Sequence, residues 1–287
     1  MAEHQGPRPL NRRELLAGAG TGILAIYLVG CGGSSSKLPT TTGTGPATTG
    51  GATTGGDAVG IGVPGPPAEG GTPGGKLVVV FQAEGNSNDP AIGYTGTSWD
   101  SICNLTYAPL YTYSENNDPQ PQCAVDLPQI SADGLIYTIP LREGVTFHNG
   151  RAVTAEDSLY AWDRVLDPAN ESWAASYIYT IQGAKERYED GAKTVTGLKV
   201  LNPRTIQITL VQPDVTFLYA LTQPFMAPVP KEEVEKYGKD FQAHVVGNGP
   251  FKLTTYNPGG QTMLFDRHTG YHWPGLPYVD QVEYRWG

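Results

Sequence analysis

Positive charge, cysteine and long apolar runs are all scarce in this chain of 287 residues. Nineteen Lys and Arg stand against 28 Asp and Glu, for a formal charge of −9. Without the first 30 residues the balance is 16 basic against 26 acidic, or −10. Such a surface repels phosphate backbones and anionic headgroups, and no basic patch with interleaved aromatics offsets it, which argues against a nucleic-acid partner. One extended apolar run, Leu15 to Val29, is rich in Gly and Ala and falls short of the ~20 residues a membrane span requires. Catalytic signatures are missing too. No Ser or Cys sits in G-x-S-x-G, and there is no H-E-x-x-H, no C-x-x-C and no complete Walker loop. His148 and Asp157 are close in sequence but have no nucleophile beside them. Gly247-Asn248-Gly249 is a glycine pair of the kind found in turns, weak as a phosphate loop. The chain is read as a non-enzyme, without metal or cofactor.

What is present is concentrated between Leu135 and Pro168. Leu135, Tyr137, Ile139 and Leu141 alternate with smaller or more polar neighbours, the period-two pattern of a half-buried strand. Asn149-Gly150 signals a turn. Thr154 and Asp157 stand in capping spacing, Glu156 is favoured by the helix dipole, and Leu159, Trp162, Val165 and Leu166 form an apolar stripe that Asp167-Pro168 ends. Physics alone gives a strand, a turn and a docked helix.

The same stretch resembles the signature of the extracytoplasmic solute-binding proteins of family 5, which serve peptide and nickel ABC importers. The family pattern L-R-x-G-V-x-F-H-x-G, then T-A-E-D and a helix ending in D-P, falls here on Leu141, Arg142, Gly144, Val145, Phe147, His148, Gly150, Thr154, Ala155, Glu156, Asp157, Asp167 and Pro168. Asp89-Pro90, Gly197 to Val200 with Thr205 to Leu210, Pro228 to Lys231, and Gly247 to Phe251 occur in family order. The resemblance runs from about Lys76 to the last residue.

The front end reads as an address and a tether. Arg12-Arg13 precede the apolar run, which ends in Leu28-Val29-Gly30-Cys31. That box resembles a bacterial lipobox, where cleavage frees the cysteine for acylation (palmitate among the acyl groups). Asn11 to Leu16 resembles a twin-arginine export signal, with Sec export as the other route. A buried hairpin helix with an incidental cysteine is the plain alternative. Residues 32–75 are almost entirely Gly, Thr, Ser, Pro and Ala, a composition that cannot offset chain entropy by burial. As a coil they would reach ~35–40 Å. The expectation is a signal peptide over 1–30, lipid on Cys31, a linker to residue 75 and a place in the cell envelope or periplasm on the cytoplasmic membrane. In an exported chain the remaining Cys103 and Cys123 favour a disulfide, worth on the order of 3 kcal/mol for a loop of that length. Two unrelated buried thiols are the alternative.

Further elements read as a buried strand at Lys76–Gln82, a helix at Ser98–Thr106 with Trp99, Ile102 and Leu105 on one side, strands at Lys199–Leu201, Thr205–Val211, Phe251–Tyr256, Met263–Asp266 and Val279–Trp286, and a helix at Lys231–Tyr237. The fold class is α+β. The resemblance implies a periplasmic binding protein-like class II architecture. Residues 76–108 begin the first lobe, 109–230 form an inserted smaller α/β domain, and 231–287 return to the lobe and end at the crossover to a second lobe absent from this chain.

It also implies ligand contacts at Tyr94, Thr95 and Gly96, at Trp173 and Ala174, and at Asn248 and Gly249. Backbone and amide groups there would satisfy a peptide main chain while aromatics cover its side chains. Tyr94, Trp99, Trp173, Tyr177, Tyr179, Tyr271 and Trp273 could equally pack at domain surfaces, and Asn248 could be a turn residue. The implied function is a monomeric receptor that passes a peptide or other small solute to an ABC permease. A noncatalytic surface sensor or chaperone-like protein on the same scaffold is the alternative.

Overall fold

The computed structural model describes residues 72–114 and 116–287, with Cys103 and Asn104 as backbone only. The expected leader, Cys31 and the linker up to residue 71 lie outside the described residues. The described chain opens with β1 (Lys76–Phe81) and α1 (Gly96–Asp100), which runs on as a π-turn over Ser101–Thr106. A small hairpin follows, β2 (Tyr111–Tyr113) against β3 (Pro119–Pro121). Next come β4 (Gln129–Ile130), β5 (Ile136–Pro140), α2 (Ala155–Val165), α3 (Ala184–Glu189), β6 (Leu198–Asn202) and β7 (Thr205–Thr209). The last elements are α4 (Phe217–Ala220), α5 (Lys231–Tyr237), β8 (Phe251–Asn257), β9 (Thr262–Arg267) and β10 (Gln281–Trp286).

The period-two reading of β5 holds. Tyr137 and Ile139 face the core and Leu141 continues the buried row, while β5 pairs antiparallel with β4 and β7 in a sheet of order β4-β5-β7-β6. α2 starts where Thr154 predicts. Asp157 Oδ2 accepts from the Thr154 N–H at 2.8 Å and from its hydroxyl at 3.0 Å. The same carboxylate takes a two-pronged bond from Arg151, at 3.0 and 2.7 Å, and Arg151 also reaches Glu232 at the start of α5. The helix therefore begins at a charged knot that joins three segments. Trp162, Val165 and Leu166 are fully buried and Leu159 packs on them, as the stripe implies. The Trp162 indole N–H donates to Met226 O at 2.9 Å and pins α2 to the segment after α4.

The second sheet has the order β1-β10-β9-β8, with β1 parallel to β10 and the other pairs antiparallel. Lys76 on β1 ion-pairs with Glu283 on β10, whose carboxyl is drawn down to about 2 by hydrogen bonds from Arg285 and Lys76. β1 corrects one expectation. Read as a buried strand, it is the sheet's edge, with Leu77, Val78 and Val80 exposed by 46%, 43% and 71% and only Val79 and Phe81 packed inward. A continuous apolar run signals two-sided burial only when both faces and both edges are covered, and among the described residues one β1 edge carries no pairing.

The described residues belong to one compact unit holding two hydrophobic clusters. The larger gathers Ile102, Leu110, Ile139, Phe147, Trp162, Phe225 and Phe241, and so draws on residues either side of positions 108/109 and 230/231. The smaller lies on the β1-β10-β9-β8 sheet with Leu105, Met263, Phe265 and Tyr284. The π-turn after α1 sends Ile102 into the first and Leu105 into the second, so the single apolar side read for that helix is divided between two cores.

Candidate functional site

The loop between β1 and α1 is held open by one side chain. Asn86 Oδ1 accepts from the N–H groups of Tyr94 and Thr95, at 2.9 and 3.1 Å, and its Nδ2 donates to Ile92 O at 3.2 Å. Asn86 N–H in turn donates to Thr95 Oγ1, which itself donates to Ser98 Oγ. Behind the loop, Asp89 accepts from Ala91 N–H and forms a buried two-pronged ion pair with Arg164 of α2, at 3.0 and 2.6 Å. The Asp89-Pro90 motif thus fixes the loop to α2, and Tyr94 and Gly96 are left at its exposed crest.

Trp173 stands over this loop. Its indole N–H donates to Gly93 O at 3.3 Å, and its ring lies 6.3 Å from Tyr94, 5.6 Å from Trp99, and 5.7 Å from both Tyr177 and Phe225. These tilted and edge-to-face contacts form one aromatic face with Tyr94 and Tyr177 more than half exposed. It joins backbone, a hydroxyl and flat apolar area, which suits an extended chain of alternating amides and side chains.

Of the implied ligand residues, Tyr94, Thr95, Gly96 and Trp173 are brought together here. The other three are drawn into the core. Ala174 is fully buried. Asn248 is 1% exposed, its Oδ1 accepting from Ala108 N–H and its Nδ2 donating to Ala108 O, both at 2.9 Å. Gly249 N–H donates to Thr106 O at 2.9 Å, and a Cβ on Gly249 would lie 2.6 Å from the Leu105 O and Tyr107 N backbone atoms. Gly-Asn-Gly is a clamp that copies a strand pairing onto residues 106–108. Its far side is closed by His148, whose Nδ1 accepts from Gly247 N–H while Nε2 donates to Gly249 O, both at 3.2 Å. Burial, with repulsion from His268, lowers the His148 pKa to about 3, which keeps this ring neutral.

Cys123 corrects the disulfide expectation. It is a free, buried thiol bonded to Ala108 O at 3.2 Å and receiving Asn248 Nδ2 at 3.2 Å, with burial raising its pKa to about 12. Its sulfur is occupied by the Asn248 clamp; the Cys103 side chain lies outside the described residues.

Asn86, Phe225 and Gln223 were not singled out from sequence. Asn86 gave no signal beyond its place before Asp89-Pro90, and Phe225 lies in no motif. The loop aromatics were separable only in space. Tyr179 pairs with Tyr188, while Tyr271 and Trp273 bracket Gln122 and Arg142.

A cavity of about 680 Å³ lies between the 86–92 loop, α2 and residues 238–242, and contains none of the implied ligand residues. Four of its five charged lining residues are committed internally, Lys239 being the fifth. Asp89 holds Arg164, Asp163 and Asp167 hold Arg187, and Asn170 donates to Arg164 O. The aromatic face, with uncommitted area, is the better candidate. Among the described residues no group of three His, Cys, Asp or Glu is placed to hold a metal ion, and no helix is long and apolar enough to cross a membrane.

The family model for bacterial extracellular solute-binding proteins, family 5 (middle), matches residues 118–287. Among curated proteins, the dipeptide-binding protein DppE of Bacillus subtilis is 36% identical over 64% of this chain and 34% of its own length. The glutathione-binding protein GsiB of Escherichia coli is 36% identical over 54% of this chain and 28% of its own. Among solved structures, the pheromone receptor PrgZ, determined for its mode of peptide binding, has a TM-score of 0.69 at 29% identity, over 73% of this chain and 42% of that one. The Escherichia coli murein tripeptide binding protein MppA has a TM-score of 0.67 at 26% identity, over 74% and 42%. The chain spans about a third of the curated relatives' length.

Proposed function

Because the chain belongs to the bacterial extracellular solute-binding proteins of family 5, we propose that it is part of a receptor that binds a peptide on the aromatic face and delivers it to an ABC permease. The observation that carries this reading is the joining of Tyr94, Thr95 and Gly96, stapled by Asn86, with the Trp173 ring. At the loop crest Asn86 holds the Tyr94 and Thr95 N–H groups and leaves the Tyr94 C=O and Gly96 N–H to pair with peptide amides, and the rings can cover its side chains. In this reading residues 76–108 and 231–287 make one lobe, 109–230 are inserted in it, and a second lobe outside these 287 residues supplies the opposing wall. The relatives' names support a peptide solute, since DppE, GsiB and MppA are named for binding a dipeptide, glutathione and a murein tripeptide.

The protein is placed at the membrane by lipid on Cys31, so Cys31→Ala should move it from the membrane fraction to the soluble one. The deciding experiment is mass spectrometry of the solute released by denaturing protein purified from the envelope. Short peptides are the expected result. A metal chelate, haem or an oligosaccharide as the stoichiometric solute would overturn the reading.

A further inference from the structure

Beside the aromatic face lies a smaller cavity of about 220 Å³, lined by Trp99, Pro109, Thr112, Tyr113, Gln223 and Pro224 among others. Of these residues only Trp99 belongs to the aromatic face described above, and through its ring the cavity borders that face. Trp99 is its wall, and the other side of the aromatic cluster begins 5.6 Å away at Trp173. At this size it is below the ~300–1,000 Å³ typical of a pocket that holds a whole ligand. It has room for one side chain.

The lining chemistry narrows which one. Two proline rings and two aromatic rings present flat apolar faces, the surfaces against which another ring stacks with gain beyond its buried area. The polar groups sit together. Gln223 Nε2 donates to the Tyr113 hydroxyl at 2.9 Å, to Thr222 Oγ1 at 3.1 Å and to Tyr219 O at 3.2 Å. The Tyr113 hydroxyl accepts from Gln223 and keeps its own proton to donate. The walls are also set in advance. Pro109 and Pro224 are buried and conformationally fixed, and the Trp99 ring packs against Trp173 with centroids 5.6 Å apart. A pre-shaped slot loses less on binding than one that must be ordered by its ligand.

Resting on the peptide reading, we infer that this slot is a specificity pocket that takes an aromatic side chain of the bound peptide. The main chain then runs along Tyr94 to Gly96 and the ring turns past Trp173 into the space between Trp99, Tyr113 and Pro224.

The test uses the 287-residue chain labelled with 5-fluorotryptophan, whose five indoles give separate fluorine signals. The Trp99 line is assigned by its loss in Trp99→Phe. Titration with Ala-Phe-Ala should shift the Trp99 line saturably, with a Kd about tenfold below that for Ala-Ala-Ala. Thr112→Phe, which fills the slot from β2, should reduce that preference to less than twofold, with a thermal melt showing that the variant is folded. If Ala-Phe-Ala moves the Trp173 line and leaves Trp99 still, or if the two peptides bind equally, the pocket assignment falls and the receptor reading stands. If neither peptide moves any line, the pocket assignment falls, and the receptor reading is decided by the solute released from the envelope protein.

Discussion

The Asn248 amide satisfies both the N–H and the C=O of Ala108 in a site with almost no exposure. A turn residue need do neither, and a ligand contact could not do both and still face a solute. Asn248→Ala should therefore destabilise the chain by about 2–4 kcal/mol, because it leaves two buried backbone groups without partners. Urea unfolding measures this; a change under ~0.5 kcal/mol with lost peptide binding would return Asn248 to the ligand face. The neighbouring His148 gives the molecule a pH dependence. Its folded pKa is near 3, first from burial and then from His268, against an ordinary 6.5. Between those values the unfolded chain binds a proton that the folded chain does not, so stability is full above about 6.5 and falls as pH drops toward 3. His148→Gln keeps a donor for Gly249 O but cannot titrate. Its proton uptake on unfolding at pH 5 should be about one less than that of the natural chain, read from the slope of unfolding free energy against pH. An unchanged slope would mean that His148 is already charged in the fold.

Elements whose pattern carries local chemistry were legible in the sequence. The β5 alternation, the Thr154 start of α2 with Asp157 as its acceptor, and α5 at Lys231–Tyr237 all stand where the residues put them. What could not be read was which neighbours each element meets. β1 is as apolar as a central strand, but burial of Val78 and Val80 depends on what lies beside and above it, information that sits elsewhere in the chain. The same holds for the candidate site. Tyr94 and Trp173 were legible through family motifs, whereas the joining of Trp99, Phe225 and Tyr177 with them is a tertiary fact that no spacing encodes. The exposed β1 edge has a consequence at this scale. Val80 is 71% exposed on a strand whose outer edge has no partner among the described residues, a template for a second chain. Val80→Lys should leave stability within ~0.5 kcal/mol while reducing self-association in sedimentation velocity. Equal association by both proteins would show that the edge is not the sticking surface.

At the scale of the molecule, the aromatic face is one wall rather than an enclosure. Tyr94 and Tyr177 are more than half exposed, while a small-molecule site buries ~70–90% of its ligand's surface. One wall can supply rings and a loop of backbone, but it cannot exclude water from the opposite side of a peptide. The arginines of α2 and α3 are also spent. Arg164 is paired with Asp89, and Arg187 with Asp163 and Asp167, so a peptide's carboxylate has no ready partner among them. Both deficits are met if a second lobe closes over the solute and brings its own charges, the clamp motion by which two-lobed binding proteins trap ligands. The 287-residue chain should then bind the co-purified peptide at least about a hundredfold more weakly than a chain that carries the second lobe, a difference of ~2.7 kcal/mol. Calorimetric titration of the two with the same peptide decides it. Equal affinity would show that Tyr94, Thr95, Gly96 and Trp173 already enclose the solute sufficiently, and the two-lobed reading of the site would have to be given up.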